Sequence, residues 1–131
     1  MRHQSEHDIV HKRVASKKSY QTGVHHFLFN NLFHILSQYL SKEKIEHIGA
    51  AYLYAANAHE AQFRSSGEPY IIHPVAVCEL LAELRMDQYT LMASLLHDVV
   101  EDTDITIEQI KEIFGEKVAQ LVAGVTKLTR I

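Results

Sequence analysis

The amino-acid sequence predicts an all-α domain. Apolar residues recur three and four positions apart in successive segments, which is the spacing of one helix face. No segment of useful length alternates apolar and polar residues as a strand would, and capping residues, glycines and prolines separate the periodic segments. With 131 residues, of which 47% are hydrophobic, the chain has the size of one domain with a single core.

Two helices are predicted before the first glycine- and proline-containing break. The first covers residues 27–40, and its apolar face consists of Leu28, Leu32, Ile35, Leu36 and Tyr39. The second is capped by Ser41, whose hydroxyl can accept a hydrogen bond from the backbone of the first turn. This second helix is predicted to extend towards Phe63, and its inner face consists of Ile45, Ile48, Tyr52 and Ala56.

Residues 1–26 are polar and show little hydrophobic periodicity. They are interpreted as a flexible extension, and residues 27–131 as the domain itself. The histidines at positions 3, 7 and 11 are four apart, but no apolar residues anchor a helix there. We therefore expect His3, His7 and His11 to bind metal only adventitiously or not at all. The same expectation applies to His25 and His26.

The stretch "RSSGEP", residues 64–69, interrupts the helical pattern because glycine and proline disfavour a continuing helix. A third helix is expected to begin near Pro74, since the missing N–H of proline costs nothing in a first turn. Its predicted inner face consists of Val77, Cys78, Leu81 and Leu84.

Three more helices are predicted after residue 86. Asp87 is the cap of the first, in which Leu91, Leu95, Leu96 and Val99 face inward. Thr106 and Gln109 have the spacing of a capping box, and Gly115 ends the short helix that they open. The inner face of the last helix is predicted to consist of Val118, Leu121, Val122 and Val125.

Composition excludes several classes of protein. The net charge of −3 and the isoelectric point near 6.3 argue against a nucleic-acid-binding domain, which would normally be basic. A single cysteine, Cys78, allows neither a disulfide framework nor a thiolate metal site. No apolar run is long enough to span a membrane and no secretory signal is recognisable, so a cytoplasmic protein is expected.

Four ionisable residues interrupt an apolar stretch in "LLHDVVEDT", residues 95–103. On a helix, His97 and Glu101 are four apart, as are Asp98 and Asp102, so all four side chains can share one edge. Burying such groups unpaired costs roughly several kcal/mol each, and a divalent cation would remove that cost. Imidazole and carboxylate together suit Mn²⁺, Fe²⁺ or Zn²⁺.

A stable metal site needs a further ligand from elsewhere in the chain. His73 is the best candidate because it precedes Pro74 at a junction between loop and helix, where a side chain can face a cleft. His59 is the alternative. Near these histidines, the loop "RSSGEPYIIHP" offers a guanidinium, two hydroxyls and an aromatic ring, a set suited to a phosphorylated, planar ligand. An ordinary interhelical turn is the competing interpretation.

Three ordered motifs make a family resemblance specific. "AHEAQFRSSGEPYIIHPVAV", "LLHDVVEDT" and "FGEKVAQLVAGVTKL" resemble, in order and close spacing, the N-terminal hydrolase domain of the RelA/SpoT (p)ppGpp synthetase/hydrolases. The likeness is greatest to the SpoT-type enzymes and extends over residues 27–131. The resemblance implies a helical HD-type domain, a member of the HD phosphohydrolase superfamily.

The activity implied by this resemblance is Mn²⁺-dependent removal of the 3′-pyrophosphate from the alarmones ppGpp and pppGpp. By motif position, the implied metal ligands are His73, His97 and Asp98. Glu101 and Asp102 match the catalytic acidic pair, which orients or deprotonates the attacking water. The implied substrate contacts are Arg64, Ser65 and Ser66, with Tyr70 and Lys127 as weaker candidates.

The sequence departs from the family pattern at two places. Ala61 stands where most relatives have glycine, at a position expected to be limited by packing. The family also continues beyond "VTKL" with a further metal-ligating aspartate, so the domain is expected to be incomplete at its C-terminus. Weaker metal binding, by at least about 10–100-fold, is then expected. Apolar surface left exposed would favour self-association.

Two other functions stay open beside the hydrolase. One is a regulatory module that holds guanine nucleotide without turnover. The other is a structural fragment in which the acidic cluster is a vestige.

Overall fold

The computed structural model describes the backbone of residues 22–129 and the side chains of residues 28–128. This part of the chain forms six α-helices, which confirms the predicted all-α class. They are α1 (Thr22–Leu36), α2 (Lys42–Ala58), α3 (Ile72–Glu83), α4 (Gln88–Asp102), α5 (Ile107–Phe114) and α6 (Glu116–Thr129). Within these residues the only β-type pairing is an isolated antiparallel bridge between Phe63 and Pro69.

Helix α4 lies at the centre of the domain. It packs against α2, α3 and α6, while α1 covers α2 and α3, and α5 packs on α6. Its predicted inward residues are all fully buried: Leu91, Leu95, Leu96 and Val99. Full burial of each such side chain stabilises the fold by about 1.5–3 kcal/mol. Helix α4, which contains residues 97–102, is therefore held by packing against three other helices.

The predicted caps of α2, α4 and α5 are confirmed. Ser41 accepts a hydrogen bond from the backbone of Lys44, and Thr106 and Gln109 form a reciprocal capping box at the start of α5. Gly115 ends α5 with a φ of 97°, in the left-handed region that favours glycine.

Helix α1 differs from the prediction at both ends. It begins at Thr22 instead of residue 27, and it ends at Leu36, before Tyr39. A helix can extend beyond its packed face because each added residue contributes one more backbone hydrogen bond once the helix exists. Residues 22–26 of the predicted extension therefore belong to α1. Residues 1–21, with His3, His7 and His11, lie outside the described residues, as do the side chains of His25 and His26.

The inner face of α3 was predicted with the wrong rotation. Leu84 is 71% exposed and lies beyond the end of the helix, whereas Cys78 is buried as expected. The buried face is formed by Pro74, Val75, Cys78 and Ala82. Apolar residues lie on most sides of α3, so the spacing alone did not identify which stripe contacts α4.

The inner face of α6 is narrower than predicted. Val118 and Val122 are fully buried, but Leu121 and Val125 are 38% and 36% exposed. Ala119 joins the buried stripe instead, because a small side chain allows close approach of the neighbouring helix. Among residues 22–129, no helix has both the length and the apolar character needed to cross a membrane.

Candidate metal centre and acidic site

His97 and Asp98 lie near the C-terminal end of α4, where Asp98 is buried and His97 is partly buried. His97 Nε2 and Asp98 Oδ1 are 3.0 Å apart, with side chains that are 22% and 11% exposed. The second carboxylate oxygen, Asp98 Oδ2, is buried and has no hydrogen-bond partner. A buried acceptor without a partner is rare in folded proteins and calls for an explanation such as a bound water or ion.

The electrostatic environment favours the charged form of this pair. Burial raises the pKa of Asp98, but the hydrogen bond and charge of His97, with smaller effects of His73 and His59, bring that pKa below its usual value. The hydrogen bond to Asp98 raises the pKa of His97, against the opposing effect of burial. Asp98 is thus held as a carboxylate, the form in which it binds a cation.

His73 is the second residue of α3, and its side chain is exposed. It is near enough to Asp98 to contribute to the lowered pKa of that carboxyl. Among residues 28–128, however, no group of three or more His, Cys, Asp or Glu side chains already has the spacing of a metal site. The assignment of His73, His97 and Asp98 as ligands stays a prediction.

The residues present fit a divalent cation by their chemistry. An imidazole and a buried carboxylate with an unpartnered oxygen are adjacent, and the imidazole of His73 lies within electrostatic range of that carboxylate. Imidazole and carboxylate are both common ligands of Mn²⁺, Fe²⁺ and Zn²⁺. The fit rests on Asp98 Oδ2, because a cation would satisfy the acceptor that the protein itself leaves without a donor.

Asp102, the last residue of α4, is held by two residues from the segment after α2. Tyr70 donates its hydroxyl proton to Asp102 Oδ2 over 2.7 Å. Gln62 Nε2 donates to the backbone carbonyl of Asp102 over 3.1 Å. Burial, followed by the hydrogen bond to Asp102, raises the pKa of Tyr70 to about 12, so the phenol stays a proton donor at neutral pH. Glu101 is half-buried, and its catalytic role stays a prediction.

His59, which the sequence offered only as an alternative ligand, is the most buried polar residue near the site. It caps the C-terminus of α2, is 2% exposed and stacks on the Tyr70 ring with centroids 4.7 Å apart. Its Nδ1 is 2.9 Å from Gln62 Oε1, whereas its Nε2 is buried without a partner. Gln62 was not singled out from the sequence, because its partners lie 40 residues away or on the far side of a turn.

The segment with the predicted phosphate-binding residues is a tight, exposed turn. The backbone N–H of Arg64 donates to the Glu68 carbonyl over 2.9 Å, and that of Gly67 donates to the Arg64 carbonyl over 2.8 Å. Gly67 has a φ of 94°, which a glycine adopts without strain. The side chains of Arg64, Ser65 and Ser66 are exposed, so the structure leaves them accessible to a ligand.

Two other positions from the sequence are exposed. Lys127 is exposed in the last turn of α6, and a substrate contact by this residue stays a prediction. Ala61 is exposed in the turn after α2, so the expectation of a packing-limited position is wrong.

Comparison with known proteins identifies the family. The HD domain matches residues 51–131. The bifunctional (p)ppGpp synthase/hydrolase SpoT of Escherichia coli (strain K12) is 51% identical over 105 residues, which are 80% of this chain and 15% of that protein. A guanosine-3′,5′-bis(diphosphate) 3′-pyrophosphohydrolase of Aquifex aeolicus (strain VF5) is 53% identical over 104 residues, 79% of this chain and 15% of that protein.

A GTP pyrophosphokinase of Myxococcus xanthus is 46% identical over 95 residues, 72% of this chain and 12% of that protein. The chain thus spans 15% or less of the length of these relatives. The HD match includes α4 with its His-Asp pair and both acids, and it covers more than half of the residues. The chain therefore belongs to the HD-domain family, and it is similar in sequence to the SpoT-type proteins.

Proposed function

We propose that this chain contains part of a metal-dependent domain that hydrolyses the 3′-pyrophosphate of ppGpp or pppGpp, with GDP or GTP and pyrophosphate as products. Relatives named as guanosine-3′,5′-bis(diphosphate) 3′-pyrophosphohydrolases support the substrate. The supporting structural observation is the buried Asp98 carboxylate, paired with His97 and unpartnered at Oδ2, one helical turn from Asp102.

The proposed metal ligands are His73, His97 and Asp98, and the proposed ion is Mn²⁺. A bound divalent ion lowers the pKa of coordinated water and neutralises charge on a phosphate. The protein contributes a carboxylate that is ionised at neutral pH and an imidazole fixed beside it.

Glu101 and Asp102 are the proposed acid–base pair. Tyr70 engages Asp102 at Oδ2, so we assign the other oxygen, Oδ1, to accept a proton from the attacking water. The water oxygen forms a bond to the phosphorus attached to the ribose O3′. The bond between that phosphorus and O3′ breaks, and O3′ takes up a proton to become a hydroxyl.

Substrate binding is assigned to the exposed turn after α2 and to α6. Arg64, Ser65 and Ser66 offer a guanidinium and two hydroxyls to phosphate, and Lys127 offers an ammonium group. Tyr70 is assigned a different task from the one that the sequence indicated. Because its hydroxyl already donates to Asp102, Tyr70 holds that acid in place.

The alternative function is a regulatory fragment that binds guanine nucleotide without turnover. Titration calorimetry that shows ppGpp binding to the chain, with no product formed in the presence of Mn²⁺, would support this alternative over the hydrolase.

The hydrolase is tested by measuring pyrophosphate release from ppGpp and from pppGpp with Mn²⁺, Mg²⁺, Zn²⁺ or a chelator. Release with Mn²⁺ that the chelator and His97→Ala both abolish is expected. Activity that survives the chelator would reject the proposal.

A cytoplasmic location stays a prediction, and so does self-association. The exposed side chains of Leu121, Val125 and Leu128 are candidates for a contact between two copies of the chain, and sedimentation can measure whether the chain associates.

A further inference from the structure

A chain of hydrogen bonds connects the last residue of α4 to His59. The Asp102 carbonyl can only accept, so the Gln62 group 3.1 Å from it is the amide NH₂. The amide oxygen of Gln62 therefore faces His59 Nδ1, 2.9 Å away. Because that oxygen can only accept, Nδ1 bears the proton. A neutral His59 is left with an unprotonated Nε2, which is an acceptor.

Two buried acceptors then lie in the same part of the core. His59 Nε2 and Asp98 Oδ2 are each buried without a hydrogen-bond partner. Helix α2, which His59 terminates, packs along α4. Tyr70, whose ring stacks on His59, donates to the Asp102 carboxylate, one helical turn after Asp98. Two acceptors cannot bond to each other, but a single water can donate one proton to each of them.

We propose that His59 is a positioning residue for Asp98, which it orients through one buried water that donates to both His59 Nε2 and Asp98 Oδ2. Gln62 fixes the required tautomer, and stacking on Tyr70 fixes the plane of the ring. The inference rests on the proposed function, because the water uses one lone pair of Asp98 Oδ2 and leaves the other for a divalent cation. Groups that orient a metal ligand typically contribute about 10–100-fold to metal affinity or activity.

The first test needs no metal. Long-range ¹H–¹⁵N correlation NMR of the whole chain, with the His59 signals assigned from a His59→Asn variant, reports which ring nitrogen bears the proton. The Nδ1–H tautomer is expected, with an Nε2 signal that moves in an Asp98→Asn variant. A protonated Nε2, or an Nε2 signal indifferent to Asp98→Asn, overturns the inference whether or not Mn²⁺ binds.

The second test is the affinity of folded variants for Mn²⁺ by calorimetry. His59→Asn keeps an amide donor near the Nδ1 position but lacks any group at Nε2, so a loss of about 10–100-fold is expected. His59→Gln places an amide oxygen near the Nε2 position and is expected to lose less. A purely structural role would lower the melting temperature of both variants and leave the Mn²⁺ affinity of the folded protein unchanged.

His47 provides the matched control. It lies on the same helix and also pairs through Nδ1 with a glutamine, Gln88 Oε1, over 3.3 Å. The separation of twelve positions between His47 and His59 places it about 18 Å along the axis from His59. His47→Asn should leave Mn²⁺ affinity unchanged. Parent protein that binds no Mn²⁺ would reject the proposed function, while the NMR result would still decide the role of His59.

Discussion

The two ends of α4 differ in how completely their polar atoms are paired. At the N-terminal end, Asp87 accepts from the backbone of Thr90 over 2.8 Å, and Tyr39 donates to the Met86 carbonyl over 2.7 Å. At the C-terminal end, Asp98 Oδ2 and the nearby His59 Nε2 are buried without partners. Burying an unpaired polar group lowers the stability of the fold. We therefore attribute the unpaired groups at the C-terminal end of α4 to function and the paired groups at its N-terminal end to stability.

The largest expected effect is on hydrolysis, from a substitution of Asp98 at the C-terminal end of α4. Asp98→Asn keeps the shape of the side chain but removes its charge, so hydrolysis of ppGpp should fall at least about 100-fold. The free energy of unfolding should fall only modestly, because the neutral amide loses the charged contact with His97 but also removes the cost of a buried charge with one unpartnered oxygen. Pyrophosphate release and chemical denaturation measure the two quantities. An Asp98→Asn variant that keeps full hydrolytic activity but is much less stable than the parent would contradict a functional role for the C-terminal end of α4.

A pair of tyrosine hydroxyls gives a smaller, matched contrast. Tyr70→Phe removes the hydrogen bond to the Asp102 carboxylate and should lower kcat about tenfold, the usual worth of a bond to a charged group. Tyr39→Phe removes the bond to the Met86 carbonyl and should cost about 1 kcal/mol of stability without changing kcat. Equal effects of the two substitutions on kcat would contradict the assignment of Tyr70 to the site.

Asp87→Ala tests the N-terminal end by itself. Loss of this cap should lower the free energy of unfolding by about 1 kcal/mol and leave hydrolysis unchanged. The bond from the Thr90 backbone lowers the pKa of Asp87, so its contribution is present at neutral pH and is lost as the pH falls below about 4. Denaturation of parent and variant across this range should therefore show a stability difference that shrinks in acid.

The smallest effect is expected at Leu84, in the turn just before α4. Because this side chain is 71% exposed, Leu84→Ala should change the free energy of unfolding by less than about 0.5 kcal/mol. Leu91→Ala, at a fully buried position on α4, is the control and should cost about 2–5 kcal/mol. A large loss of unfolding free energy in Leu84→Ala would indicate that another surface covers the Leu84 side chain.

The prediction from sequence was most accurate where the cause is local. The caps at Ser41, Asp87 and Thr106 were identified because a side-chain oxygen three residues before a backbone N–H is a short-range contact. The inner face of α4 was identified because its apolar stripe is flanked by polar residues. The face of α3 was not, since apolar residues there point in several directions and the choice depends on how the neighbouring helices cross.

The sequence by itself determined the helical class, the order and capping of the helices, and the grouping of His97, Asp98, Glu101 and Asp102 on one helix edge. Helical periodicity fixes all of these within a few turns. The tertiary structure decided that His59 and Gln62 belong to the site and that Tyr70 bonds to Asp102. Gln62 and Tyr70 lie 40 and 32 positions before Asp102 in the sequence, and the packing of α2 against α4 brings the segment after α2 next to it.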